Sequence, residues 1–231
     1  MAVFHRGVAL DPTTADADVE AIRRTGRLAA NARWGGTMPN PAEVRRIAAD
    51  LAKSPASARE AIDGLPQTPL TYACARFDDA AFYARRAKGR PVVVSFEASV
   101  EDVAIDGRDF LYTVFQAWDQ SGGGCREDVR TSLAALFGPS ILTWFDLAGR
   151  KSTQAARIGL CDLATFDLAA VVAHHANTIC IQGRYGTRFR SAFAVPEQVD
   201  PSSVLVVEEV AASFSFDPPP EVIDLSEILR R

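Results

Sequence analysis

"LTYACARFDDAAFYARRAKGRPVVVSFEA", residues 70–98, is the stretch on which the fold turns. Leu70 to Ala75 reads as a strand, and Phe77 to Ala87 as a helix. Gly89 ends that helix, and Pro91 opens a second strand, Pro91 to Ala98, rich in β-branched valine. Upstream, "AVFHRGVAL" is a first apolar stretch closed by the Asp11-Pro12 turn. Ala15 to Ala30 reads as a helix with Val19, Ile22 and Leu28 on its apolar side and Gly26 loosening its last turn. "NARWGGTMPNP" (31–41) is a loop around Trp34. Asn40-Pro41-Ala42-Glu43 opens a capped helix, and Ser54-Pro55 opens another that ends at Asp63-Gly64.

Downstream, the apolar run "DGRDFLYTVFQAW" (106–118) is too dense for periodicity to separate strand from helix. "SGGG" (121–124) is a loop, and Arg126 to Phe137 is a helix stopped by Gly138-Pro139. Leu163 to Ala176 is a helix ending in His174-His175, and "NTICIQG", "RFRSAFAV" and "SVLVVEEV" are late strands. With helices early and strands late, the expected class is α+β. The expected architecture is a split, mostly antiparallel sheet of residues 70–75, 91–97, 178–182, 189–195 and 203–209, flanked by helices. No linker or repeat interrupts residues 1–217, read as one domain; 218–231, after Pro218-Pro219-Pro220, is a tail or docking helix.

Of the 231 residues, 48% are hydrophobic and 23% charged, an ordinary globular balance. The net charge of −4 gives no electrostatic footprint for duplex nucleic acid or an anionic membrane. Four widely spaced cysteines without a C-x-x-C pair exclude a sequence-evident zinc ribbon and argue against a disulfide scaffold. With no signal core and no apolar run of spanning length, the expectation is a reduced, cytoplasmic protein with no membrane partner.

The chemistry-bearing candidates are few. His174 and His175 are neighbours on a helix and point about 100° apart, so they do not share a metal easily; near a helix C-terminus a cationic imidazole is favoured. Cysteine catalysis would need Cys125 beside His5 or the late histidine pair. "SGGGCRED" offers amide donors for phosphate or is a surface loop. In "RYGTRFR", strand alternation puts Arg188 and Arg190 on one face, fit for a diphosphate, an RNA backbone or exposed salt bridges. In "FHRG", Arg6 gives a planar fork of donors and Gly7 permits close approach to the backbone, unless this is a plain edge strand.

In order, these segments resemble the ADP-ribosyltransferase superfamily. Phe4-His5-Arg6-Gly7 is similar to its first strand, which ends in an aromatic followed by Arg-Gly or His-Gly. The helix from Ala17 to Gly26 and "LTYACARFDDAAFYA", with Thr71, Ala80 and Tyr83-Ala84, are similar to its next motifs. "SAFAVPEQVDPSSVLVVEE" keeps its late apolar-proline frame, whereas residues 106 to 183 have no counterpart. The resemblance implies NAD held by Arg6, Gly7, Tyr83 and Arg190, with Tyr83 packed on the nicotinamide or ribose and Thr71 in the catalytic site. The family's catalytic glutamate would fall near Ser191 or Ala192, which are not acidic; Glu197, Glu208 and Glu209 are the nearest substitutes, and Glu197 is assigned the role. The RNA 2′-phosphotransferase branch instead has an arginine at its final site residue, a part Arg188 or Arg190 could take. The implied function is NAD-dependent ADP-ribosyl transfer to a protein or nucleic-acid target, as a toxin or effector. The alternative is a non-enzymatic nucleotide- or protein-binding module of phage or defence type that keeps the fold without the chemistry.

Overall fold

Strand β1 (Ala2–Leu10) is nine residues long and sits inside the sheet. It pairs antiparallel with β3 (Arg90–Ala98) along its whole length, Phe4 opposite Phe96 and Arg6 opposite Val94. Its other edge pairs with β2 (Leu70–Cys74), His5 opposite Cys74. Three further strands complete the sheet: β4 (Ala104–Ile105), β7 (Ala192–Pro196) and β8 (Val204–Glu209). The order is β4-β7-β2-β1-β3-β8, and every neighbouring pair is antiparallel. This computed structural model describes residues 1–28, 69–117, 127–184, 188–211, 213–215 and 221–230. The expected loop at 31–41, the two helices opening at Asn40 and Ser54, "SGGG", Cys125, Tyr185 and the proline run at 218–220 lie outside them.

The two faces of the sheet are dressed differently. Helix α2 (Phe77–Arg86) lies on the face of Gly7 and Val93, with Ala80, Ala81 and Ala84 turned inward. These small side chains let the helix axis come close, and Gly7 takes this furthest. A Cβ there would meet the Ala80 carbonyl oxygen at 1.9 Å. On the other face Phe4, Phe96 and Phe193 join the large core, to which helix α1 (Ala15–Thr25) contributes Ile22. The largest share of that core comes from helices α3 (Leu111–Gln116), α4 (Glu127–Phe137), α5 (Ser140–Gly149), α6 (Gln154–Ala164) and α7 (Leu168–Ala176). The protein is thus α+β, a six-stranded antiparallel sheet flanked by helices.

Several local expectations change, each for a visible reason. Helix α1 stops at Thr25, since Gly26 adopts a left-handed φ of 65° and its N–H donates to the Ile22 carbonyl. Leu28 therefore leaves the helix and donates its N–H to the Glu197 carbonyl. The ambiguous run at 106–118 yields α3. The single helix expected at 163–176 is two, broken where Asp167 caps α7 by accepting the Ala169 and Ala170 N–H groups. The same carboxylate accepts the Trp144 indole N–H at 2.7 Å. Strand 189–195 is also divided. The backbone of Arg190 bonds outside any ladder, its N–H to Asp79 and its carbonyl to the Asn177 amide, and the chain bends there.

Residues expected in one sheet therefore separate. Strands β5 (Cys180–Gln182), β6 (Arg188–Phe189) and β9 (Val222–Asp224) form a second, three-stranded sheet, with β5 and β9 parallel. The stretch expected as a tail or docking helix opens on a strand: β9 is followed by α8 (Leu225–Arg230), which buries Leu225 and Ile228 in the large core. No helix among the described residues is long and apolar enough to cross a membrane.

Candidate functional site

Strand alternation and register decide which candidates meet. His5 opposite Cys74 sets Ala73 beside Arg6, and antiparallel counting sets Thr71 beside Val8. Thr71 faces Val195, and the Glu197 N–H carries the ladder on by donating to the Pro69 carbonyl. Residues two apart share a face, so Arg6, Thr71 and Glu197 stand on the same face of three adjacent strands.

Arg6 is only 5% exposed. Its Nε donates to the Leu28 carbonyl at 2.9 Å and its Nη1 to the Tyr72 carbonyl at 2.6 Å. Burial pulls the guanidinium down to about 10, against the upward pull of Cys74, Tyr72 and Glu197, so it is charged at neutral pH. The Glu197 carboxylate lies 3.5 Å from Arg27 Nη2; the two side chains are 15% and 62% exposed. Arg6 is thus a clamp. It holds Leu28, whose N–H holds the Glu197 backbone, and this sets Glu197 and Arg27 at the rim of the sheet face. Thr71 is fully buried beneath them.

The other candidates lie elsewhere. The close approach permitted by Gly7 is to the backbone of α2. Tyr83 is on α2, half-buried, with Phe82 edge-on to its ring, and α2 covers the face opposite Arg6. Arg190 is also on the α2 side, its Nη1 3.7 Å from Asp78. A phosphate site shared by Arg6 and Arg190 is therefore not assembled. Arg188 is exposed and donates from Nε to Gln182. Glu208 and Glu209 are on β8 at the far edge of the sheet, where Glu209 pairs with Arg90.

The late histidines are built into the interior. Ala192 N–H donates to His174 Nε2, so Nδ1 carries the proton and donates to the Leu136 carbonyl at 3.1 Å. Burial lowers this imidazole to about 4, so the cationic form favoured by the helix dipole is overruled by desolvation. His175 Nε2 donates to the Val3 carbonyl.

Four polar features escape a reading of the sequence. Arg27 gives no signal beyond following a helix stop. Asp79 reads as an ordinary first-turn acid, yet it is fully buried and burial pushes it up to about 6. Asp162 is likewise pushed up to about 6 by burial, while the hydrogen bond it accepts from the Tyr112 hydroxyl opposes the shift. His5 and Ser95 are hydrogen-bonded across β1 and β3. No group of three or more His, Cys, Asp or Glu side chains among the described residues is placed to hold a metal ion.

Comparison with protein-family models, curated proteins and solved structures returns no match. The reading of the site therefore rests on its own chemistry: a buried guanidinium and a carboxylate on one sheet face, with an exposed arginine beside the carboxylate.

Proposed function

We propose that the protein is an NAD-dependent ADP-ribosyltransferase acting on a macromolecular target, with NAD lying against the Glu197–Arg27 rim of the Arg6 face. The observation that carries the reading is the placement of Arg6, Thr71 and Glu197 on adjacent strands with one orientation. The residues fit such a substrate. Arg27 is exposed and offers a planar fork for a pyrophosphate oxygen pair, and Glu197 can accept a ribose hydroxyl. NAD supplies an activated glycosidic bond, whose breaking builds positive charge at the ribose. The Glu197 carboxylate, held by its backbone on both sides, is placed to stabilise that charge without reorganising. Arg6 is a positioning residue here, since it is buried and its Nε and Nη1 donate to the Leu28 and Tyr72 carbonyls.

The test is incubation with NAD labelled in its adenylate phosphate and a cell lysate. Free nicotinamide and labelled macromolecule are expected from the wild type, with both strongly reduced in Glu197→Gln. Absence of both from the wild type would overturn the reading. The low exposure of Arg6 favours a second reading, a non-enzymatic binding module. That module would capture a partner without turnover and be indifferent to Glu197→Gln.

A further inference from the structure

On the other face of the sheet, Cys74, His5 and Ser95 form a row across three strands, beneath the first turn of α2. His5 Nδ1 and Ser95 Oγ are 2.9 Å apart. The strand beside Ser95 is irregular: Ser95 pairs with Val206 and Phe96 with Val204, which leaves Leu205 as an extra residue in β8. Such bulges re-aim side chains and recur next to active sites. Phe77, the first residue of α2, stands edge-on to the imidazole with ring centroids 5.9 Å apart. Asp78 on α2, Arg76 at its N-cap and His175 on α7 all act electrostatically on His5.

We propose that Ser95 and His5 are the nucleophile and the base of an acyl-transfer site for carboxylic esters, distinct from the Arg6 face. The Ser95 hydroxyl gives its proton to His5 Nδ1 as its oxygen bonds to the acyl carbon. The ester C–O bond then breaks, and the leaving alcohol takes that proton from His5. Water, deprotonated by the same nitrogen, cleaves the Ser95 ester, so one ester and one water become one acid and one alcohol. Burial, with His175 and Arg76, lowers the imidazole from its usual value and keeps it a neutral base at pH 7, while Asp78 supports the imidazolium formed during transfer. Arg76 places a positive charge on the same side, where the carbonyl oxygen turns negative. Cys74 is the worse nucleophile of the row, because burial and Asp79 push its thiol up and leave little thiolate.

A fluorophosphonate probe on the full chain tests this, with the adduct located by mass spectrometry. One adduct is expected, at Ser95, and it disappears in Ser95→Ala. His5→Asn keeps an amide near Nδ1 but no base, and should slow labelling by about 100-fold or more while the melting temperature holds. The labelling rate should rise with pH through a midpoint below 6.5, and Asp78→Asn should move that midpoint lower, since Asp78 raises the imidazole. The proposal is overturned if Ser95 is unlabelled, or if His5→Asn labels at the wild-type rate. Should His5→Asn lose its fold, the midpoint in Asp78→Asn decides, and an unmoved midpoint overturns the proposal.

Discussion

Replacing Arg6 by alanine removes the clamp that ties β1 to Leu28 and β2. Two backbone carbonyls, of Leu28 and Tyr72, lose a charged donor in a place only 5% exposed. Hydrogen bonds to charged groups are each worth about 1.5–3 kcal/mol, so the loss is about 3–6 kcal/mol. For a domain of this size each kcal/mol moves the melting midpoint by about 2–4 °C, so a fall of about 6–24 °C is expected. Arg6→Lys keeps the charge but not the fork, so it serves one carbonyl and recovers about half. Circular dichroism melts of the three proteins measure the series. Hydrogen exchange locates the effect, because Leu28 N–H is protected through Glu197 and should lose protection first. Wild-type melting in Arg6→Ala would refute the clamp and make Arg6 a surface-facing group.

Two further predictions follow from packing and burial. Gly7→Ala sets a methyl 1.9 Å from the Ala80 carbonyl oxygen and must lift α2 off the sheet, at a cost of about 3 kcal/mol in urea unfolding; an unchanged midpoint would refute the packing. His174 is lowered by burial from 6.5 to about 4, so its neutral form stabilises the fold fully above pH 6.5, and that contribution disappears as pH falls toward 4. The window corresponds to about 3 kcal/mol at 1.36 kcal/mol per pH unit. Asp79 and Asp162, pushed from 3.8 up to about 6, act in the opposite sense, so overall stability blurs the effect. The NMR signals of the ring itself isolate it: a neutral His174 is expected at pH 5.5, and an imidazolium there refutes the assignment.

The strand–helix–strand of residues 70–98 was legible because the valine-rich run at 92–94 and the Gly89–Pro91 stop agree. The same patterning could not place neighbours. Nothing in "CIQ" or "RFRSAFAV" shows that Asp79 and Asn177 take the backbone bonds of Arg190 and divert the strand into another sheet. Nor could it show that Asp167 splits a helix, since a carboxylate inside an apolar run fits a cap or a surface equally well. At the site, Arg6, Thr71 and Glu197 were legible by type, and register alone joined them. Tyr83, Gly7 and Arg190 went to the other face because residues on α2, and those it contacts, are set by packing over long sequence distances. Arg27 and the His5–Ser95 pair were silent for that reason too.

The strand order has a consequence for how the chain is made. Strand β7 lies between β2 and β4, yet it is synthesised about 90 residues after β4. At ribosomal rates of about 5–20 residues per second, the partner edges wait roughly 5–20 s for their middle strand. The β1–β3 ribbon and α2 can form early, and the helices of residues 111–176 need mainly local contacts. Until Ala192–Pro196 arrives, the edge of β2 is an open template for other nascent chains. The slow and aggregation-exposed step in the birth of this protein is therefore the insertion of an interior strand, the same strand that carries Glu197 into place.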